Sequence, residues 1–419
     1  MQILIIGKGA KEYALAKYLK KENPESIIFV APGNQAIGDF ATCIDIQPQN
    51  IDEIVDFAQA NEINLTIVCD DMAIDADLAS AMNEAGLMVF APEKEAARFA
   101  ISKSVGKRFM YKLKMRTPKF GIFDKENSAR EYLNSAVYPI LIKSDLHDDG
   151  ENIHLCLSSR EANNILNKLF SISSPKVVIE NYVQGREFTF YAITDGYNAI
   201  PICAVVPYKY SSEKDGGSIT KGVGAYAPAN FVDNALSNKI LDTIIYPAIN
   251  ELDRNNATYI GIIGVDLILD NDNDINVIEF NSFFKEPDIE TILELLDNNL
   301  IEIFKACAIG SLADDYNFIN LKNKSAMSAV LTKTPKYLFD NDEALLSGID
   351  ELDEEINVTL YNAINKNNQI KLRAGRALSL TTSAATLSKA KALLQENIDL
   401  INFNGKRYRT DILITNNDK

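Results

Sequence analysis

Short apolar runs alternate with helical patterns through the first 90 residues, and this alternation limits the possible folds more than any other feature. Residues 3–6 are a continuous apolar strand, followed by Gly7-Lys8-Gly9-Ala10 and a helical pattern over 11–21. Residues 27–30 read as the next strand, 51–61 as helix, 65–69 as strand, 75–85 as helix and 88–90 as strand. Strands that alternate with helices imply parallel pairing, with helices covering the sheet. The first unit is therefore expected to be a parallel α/β domain ending near Pro92.

A helix over 102–113 leads to strand 119–123, helix 128–133, strand 139–144, helix 159–169 and strand 176–182. A strand at 186–194 opens a larger segment, with helices expected at 236–252 and 289–308. The last part opens with a strand at 325–332 and continues through strand 376–380 and helix 384–398, the pattern of a small mixed α/β domain. There is no low-complexity tract and no internal repeat.

Charge and cysteine usage narrow the function classes. Of 419 residues, 47% are hydrophobic and 24% charged, which suits a chain with sizeable buried cores. A net charge of −16 argues against nucleic acid as a partner, because phosphates would be repelled. The five cysteines are scattered and lack CxxC spacing, so free buried thiols are expected rather than a disulfide framework or a zinc site. No apolar run reaches the roughly 18 residues needed to span a bilayer, and the N-terminus lacks a basic leader, so a cytoplasmic location is expected.

The chemistry is concentrated in Val277-Ile278-Glu279-Phe280-Asn281. On a strand, alternation turns Glu279 and Asn281 to one face. A carboxylate and an amide oxygen together suit Mg²⁺, which takes oxygen ligands and usually also holds substrate phosphates. The pair follows the apolar stretch 259–269 and an Asp/Asn-rich turn over 270–274, so a strand–turn–strand hairpin is expected. Asp266, on the first strand, is either a further ligand or only a strand-end charge.

Other motifs occur in a telling order. They are Gly7-Lys8-Gly9-Ala10-Lys11-Glu12, Ala31-Pro32-Gly33-Asn34, Ser102-Lys103, the strand ending at Lys143, Val178-Ile179-Glu180, Gly185-Arg186-Glu187, Gly222-Val223-Gly224-Ala225-Tyr226-Ala227-Pro228 and Arg409-Thr410-Asp411. In this order, and ahead of the Glu279 hairpin, they resemble the phosphoribosylamine–glycine ligases of the ATP-grasp superfamily over essentially the whole chain. The resemblance implies an N-terminal parallel α/β domain (1–100) and an ATP-grasp core of two α+β subdomains (101–188 and 189–324). A small C-terminal mixed α/β domain (325–419) completes it. It also implies an ATP-dependent ligase of purine synthesis that joins 5-phosphoribosylamine to glycine through a glycyl phosphate, using ATP and Mg²⁺ (or Mn²⁺). The expected partners are small-molecule substrates, with neither nucleic acid nor membrane, for a monomer or weak homo-oligomer.

By the same resemblance, Lys103, Lys143 and Lys214 serve the transferring phosphoryl group, and Lys103 and Lys143 contact ATP phosphates. Glu180, Tyr182 and Val183 hold the adenine, and Glu187 takes the ribose hydroxyls. Gly9, Gly33, Asn34, Asp215, Gly222 and Gly224 hold the substrates, and Glu279 and Asn281 hold the metal. The glycines would let backbone approach a ligand closely, and Gly9 opens a helix whose N–H groups could face an anion.

Departures from the family pattern cluster near the expected chemistry. The family's Gly/Ala-rich lid with a lysine is replaced by Ser144-Asp145-Leu146-His147-Asp148-Asp149-Gly150-Glu151-Asn152, with Glu151 at the lysine position. A Gly-Pro-Glu turn becomes Cys69-Asp70-Asp71. The Arg-Phe-Gly-Asp-Pro-Glu that follows the metal ligands becomes Phe283-Phe284-Lys285-Glu286-Pro287-Asp288, which removes an arginine suited to bidentate anion contact. Lys221 and Lys285 are cations in new places. A substrate-altered or catalytically silent relative, acting as a nucleotide-binding or interaction protein, is the alternative reading.

Overall fold

Residues 3–6 lie in strand Gln2–Gly7, the middle strand of a five-stranded parallel sheet. The order is Thr42–Cys43, Ile27–Pro32, Gln2–Gly7, Leu65–Val68, Val89–Phe90. Ile3 and Ile5 enter one core, Leu4 and Ile6 another, and all four are 0% exposed. A strand buried on both faces is what an unbroken apolar run encodes. The computed structural model describes residues 1–145, 153–172, 176–334, 343–366 and 369–414. The acidic stretch 146–152, with His147, Asp148, Asp149 and Glu151, lies outside the described residues.

Strands Phe120–Phe123, Val177–Asn181, Ile140–Ser144 and Ile153–Cys156 form a separate four-stranded antiparallel sheet with its own small core. The largest sheet has nine antiparallel strands. It runs from Ile275–Asn281 through Ile260–Asp270, Gly185–Asp195, Ala199–Ser212 and Gly216–Ala227 to Ser325–Lys333, Gly375–Ala384 and Asn357–Leu360. Lys406–Arg407 pairs on the side of Ser325–Lys333. The sheet is continuous across 324/325, since Ala225 pairs with Ser328.

Several elements differ from the sequence reading. The single helix expected at 75–85 is two helices, Asp71–Asp75 and Leu78–Glu84. Asp77 breaks it: this residue sits at φ 68, and its carboxylate accepts from Ser80 Oγ at 2.9 Å and Lys94 N–H at 3.0 Å. Such local side-chain bonds compete with the helix. Likewise 289–308 divides into Asp288–Leu295 and Leu300–Ala308, because Asn299 accepts the N–H groups of Ile301 and Glu302 and starts a new helix. The run 236–252 stays helical but passes through a π turn at Leu241–Ile245, just before Pro247, which has no N–H to donate.

The largest omission is the hairpin Ala199–Ser212/Gly216–Ala227, whose second strand contains the stretch expected as a loop over ligands. Glycine is depleted in strands, so Gly222-Val223-Gly224 reads as loop from sequence alone. Cys43 is exposed and the other four cysteines are buried, all as free thiols. Among the described residues no helix is long and apolar enough to cross a membrane.

Candidate active site

The hairpin Ile260–Asp270/Ile275–Asn281 puts Asp266 opposite Glu279 and Gly264 opposite Asn281. Its turn is held by Asp270, whose Oδ1 accepts the N–H groups of Asp272 and Asp274. Alternation sends Phe280 into the core, 1% exposed and 4.8 Å from the Phe99 ring. Glu279 and Asn281 are thereby fixed on the other face, in the wall of a cavity of about 490 Å³. Residues of the four-stranded and nine-stranded sheets meet in that cavity with Lys8, Gly9, Lys11, Glu12, Asp70 and Asp71, which follow strands of the parallel sheet.

One region of the wall is built from lysines and carboxylates. Lys103 opens helix Lys103–Lys112, where Ser102 caps the helix by accepting from Val105 N–H. Its ammonium lies 3.2 Å from Glu279 Oε1. Lys143, at the end of an apolar strand and 3% exposed, lies 2.5 Å from Glu180 Oε1 and 3.8 Å from Glu279 Oε2. Lys107 reaches Glu180 Oε2 at 2.6 Å. The two Glu180 contacts are close charge pairs rather than well-directed hydrogen bonds, whereas Lys103 donates a hydrogen bond to Glu279.

Burial would raise the Glu180 carboxyl, but Lys143 and Lys107 together hold it below the usual carboxylate range. Burial likewise works against Lys143, yet Glu180 and Glu279 keep its ammonium above the ordinary lysine value. Lys107 has Glu180 but repels Lys143, and burial pushes it down. Glu279 is held low by Lys103 and Lys143 against its burial.

A second cluster adjoins this one. Asp266 accepts from Thr189 Oγ1 at 2.8 Å and Asn281 Nδ2 at 3.3 Å, and it pairs with Lys285 and, at 3.2 Å, with Lys209. Lys209 also lies 3.4 Å from Glu187. Despite burial, these ammonium groups hold the Asp266 carboxyl well below its ordinary range. Asp266 is thus an anchor for two lysines, which settles its open assignment against a bare strand-end charge.

At the N-terminal wall, the carboxylate of Glu12 accepts Gly9 N–H at 2.6 Å, and Glu286 Oε1 accepts Lys11 N–H at 3.0 Å. Gly7 has φ 140, and a Cβ there would stand 2.3 Å from Glu12 Oε1, so the close fold-back of Glu12 requires glycine. Burial raises the Glu12 carboxyl to about 7, against the pull of Lys11. Arg376 pairs with the other oxygen of Glu286 and stacks on Tyr361 with 4.6 Å to the ring centroid. Two of the N–H groups expected to face a substrate anion, those of Gly9 and Lys11, are thus taken by the chain's own carboxylates, while Gly9 lies in the cavity wall.

Of the residues singled out from sequence, Gly9, Lys103, Lys143, Glu180, Tyr182, Val183, Glu187, Glu279 and Asn281 all lie in the cavity wall. Gly33, Asn34, Lys214, Asp215, Gly222 and Gly224 lie outside it, for physical reasons. Asn34 donates to Lys8 O at 2.8 Å and accepts from Ala36 N–H, so it braces the Lys8–Gly9 loop from behind, and Gly33 forms the turn beside it. Lys214 and Asp215 form the tip of the long hairpin, tied to Asp411 and Arg409. Gly224 is packed against the Ser328 carbonyl within the large sheet, and Gly222 backs onto Pro287.

Sequence reasoning missed Lys107, Lys209, Tyr191 and Arg376. Lys107 carried a usable signal, since it sits one turn after Lys103 on the same helix face. Lys209 and Arg376 carried none, because the pairing of distant strands brings them in.

The residues suit a hard divalent cation with oxygen ligands. Asn281 commits its N–H to Asp266, so the carbonyl oxygen is the end left for a cation, beside the Glu279 carboxylate. Among the described residues no three His, Cys, Asp or Glu side chains gather as a metal site. A metal here would complete its shell from phosphate and water, as Mg²⁺ usually does.

Known families match this chain along most of its length. Residues 1–100 match the N domain of phosphoribosylglycinamide synthetase, and 101–291 match its ATP-grasp (A) domain. A phosphoribosylamine–glycine ligase of Halalkalibacterium halodurans is 30% identical, over 98% of this chain and 96% of the relative. The chain belongs to the phosphoribosylglycinamide synthetase family. A second ligase, from Caldanaerobacter subterraneus subsp. tengcongensis, is 29% identical over 98% of this chain and 99% of its own.

Solved structures agree on the ATP-grasp fold. The phosphoribosylamine–glycine ligase of Thermotoga maritima matches with TM-score 0.82 at 21% identity, over 98% of this chain and 100% of that one. The biotin carboxylase domain of the Hydrogenobacter thermophilus 2-oxoglutarate carboxylase, solved with MgADP, matches with TM-score 0.72 at 16% identity, over 99% and 92%. Phe283, where the resemblance leads one to expect an arginine, is 4% exposed at the cavity wall. Cations at this wall come instead from Lys285, two positions on, and the nearby Lys221, with Arg376 clamping Glu286 behind them.

Proposed function

We propose that this protein joins 5-phosphoribosylamine to glycine, with ATP as the phosphoryl donor and Mg²⁺ or Mn²⁺ as the metal, to give glycinamide ribonucleotide for purine synthesis. The observation that carries this reading is the single cavity in which Lys103, Lys143, Glu279 and Asn281 converge, in a chain of this family. Free buried thiols suit a reducing, cytoplasmic setting.

The backbone of Tyr182 and Val183 receives the adenine at the end of strand Val177–Asn181, and Glu187 accepts from ribose hydroxyls. Glu180 keeps Lys143 charged and fixed in place. Lys103 and Lys143 then face the phosphates as pre-positioned positive charge, which costs no reorganisation when negative charge builds up on the transferring group. Glu279 and Asn281 hold the metal, which neutralises phosphate charge when bound. Lys285 and Lys209, fixed by Asp266, supply the cationic surface that draws the glycine carboxylate to the phosphoryl group. Holding the reactants in register is most of the catalysis in such a transfer. Nothing in the described site favours the catalytically silent reading.

The test is phosphate release by the purified protein with each reactant omitted in turn. Release is expected only when ATP, Mg²⁺, glycine and freshly generated phosphoribosylamine are all present, with glycinamide ribonucleotide appearing in equal amount. Release that ignores phosphoribosylamine but follows another amine would contradict the substrate assignment.

A further inference from the structure

Asp288 is a buried carboxylate of the cavity wall that the phosphoryl-transfer machinery does not use. It is 1% exposed and opens helix Asp288–Leu295, whose Ile289, Ile292 and Leu295 are locked in the core. One oxygen, Oδ2, accepts the Tyr191 hydroxyl at 2.7 Å. Tyr191 is itself held, since its oxygen accepts Lys285 N–H at 3.2 Å. The other oxygen, Oδ1, is buried with no hydrogen-bond partner among the described residues.

An unpaired buried carboxylate oxygen is costly, and it persists where function keeps it. A carboxylate only accepts hydrogen bonds when ionised, so the missing partner is an N–H or O–H donor. One oxygen oriented by a neighbour and the other unpartnered, on a residue that lines the cavity, is the arrangement a general base requires. Asp288 lies in the same cavity wall as Lys103 and Lys143, the residues proposed to meet the phosphates.

We propose that Asp288 is the catalytic base of the second half-reaction, with Oδ1 receiving the proton of the attacking amine. This rests on the ligase reading above. The amine lone pair forms the C–N bond to the carbonyl carbon of glycyl phosphate. The C–O bond to the phosphoryl group breaks, and its electron pair leaves with inorganic phosphate. One N–H proton passes to Asp288 Oδ1. Burial pushes the Asp288 carboxyl up from its ordinary value, against the pull of Lys285 and the Tyr191 hydroxyl, which makes it a better proton acceptor.

Hydroxylamine separates the half-reactions, because it captures glycyl phosphate as the hydroxamate without needing an enzymic base. In full-length D288N, glycyl hydroxamate formation is expected at the wild-type rate with unchanged glycine KM. Transfer to phosphoribosylamine is expected to fall by about 100-fold or more in kcat. Wild-type transfer in D288N would overturn the proposal, as would a glycine KM raised in both assays, which would place Asp288 on the glycine ammonium instead. If D288N loses both reactions, Y191F decides, since it keeps the carboxylate but frees its held oxygen. A fall confined to transfer supports the base, and wild-type rates in both assays overturn it. Wild-type protein that makes no hydroxamate at all would sink the ligase reading, and this proposal with it. Hydroxamate formation in wild type together with wild-type transfer in D288N would sink this proposal alone.

Discussion

Glu279→Ala is expected to lower ATP turnover by about 1,000-fold or more while leaving the fold intact. Glu279 is the carboxylate of the proposed metal pair, and its two oxygens face Lys103 and Lys143 at 3.2 and 3.8 Å. Removing it leaves only the Asn281 carbonyl to fix the cation. Metal-borne charge stabilisation in phosphoryl transfer is worth several kcal/mol, and each 1.36 kcal/mol is tenfold in rate. The structural cost is small by comparison, because Lys143 keeps Glu180 and the Lys103 side chain is partly exposed. Steady-state ATP turnover, read beside a thermal melt, checks both halves. Full activity in Glu279→Ala would remove the metal assignment, and a collapsed melt would show that the residue is structural instead.

Glu180→Ala is expected to destabilise the protein by about 3–5 kcal/mol, the cost of stranding buried charge. Lys107 and Lys143 would be left facing each other, each side chain 3% exposed, without the carboxylate they share. Replacing all three by apolar residues of similar volume should cost much less than the single change, since no charge is then stranded. Urea unfolding measures both. A single mutant within 1 kcal/mol of wild type would mean, by that rule, that the pairs are far weaker than their geometry implies.

The pH dependence follows from the same group. Its folded carboxyl value is depressed, with Lys143 and then Lys107 overcoming burial. Its stabilisation is therefore complete above the ordinary glutamate value of about 4.3 and is lost as pH falls through the lower, folded value. Glu180→Ala should flatten the acid side of the stability profile.

The sequence made some of this legible and hid the rest for identifiable reasons. Glu279 and Asn281 are readable because strand alternation fixes their common face whatever surrounds them. Lys143 is readable because a lysine ending an apolar strand needs an acceptor. The N-terminal sheet is readable from its unbroken apolar strands. By contrast, Lys209 reaches Asp266 only because Ala199–Ser212 pairs with Gly185–Asp195, which pairs in turn with Ile260–Asp270. No local pattern encodes that. Arg376 meets Glu286 across 90 residues of chain. Gly222 and Gly224, expected to hold substrate, lie in a strand, while Gly7 makes room for a carboxylate. Glu180, expected to hold adenine, lies in the cavity wall with a lysine beside each of its oxygens, and those partners come from elements that no local motif reveals.

The central claim is that phosphate passes through glycine's own carboxylate, and isotope transfer tests it most directly. Glycine labelled with ¹⁸O in its carboxylate would be turned over with unlabelled ATP, Mg²⁺ and phosphoribosylamine, and the released phosphate analysed by mass spectrometry. A glycyl phosphate held between Lys103, Lys143 and Glu279 predicts one ¹⁸O atom in each phosphate released. Phosphate free of label would show that ATP is cleaved by water, and that this site does not activate glycine.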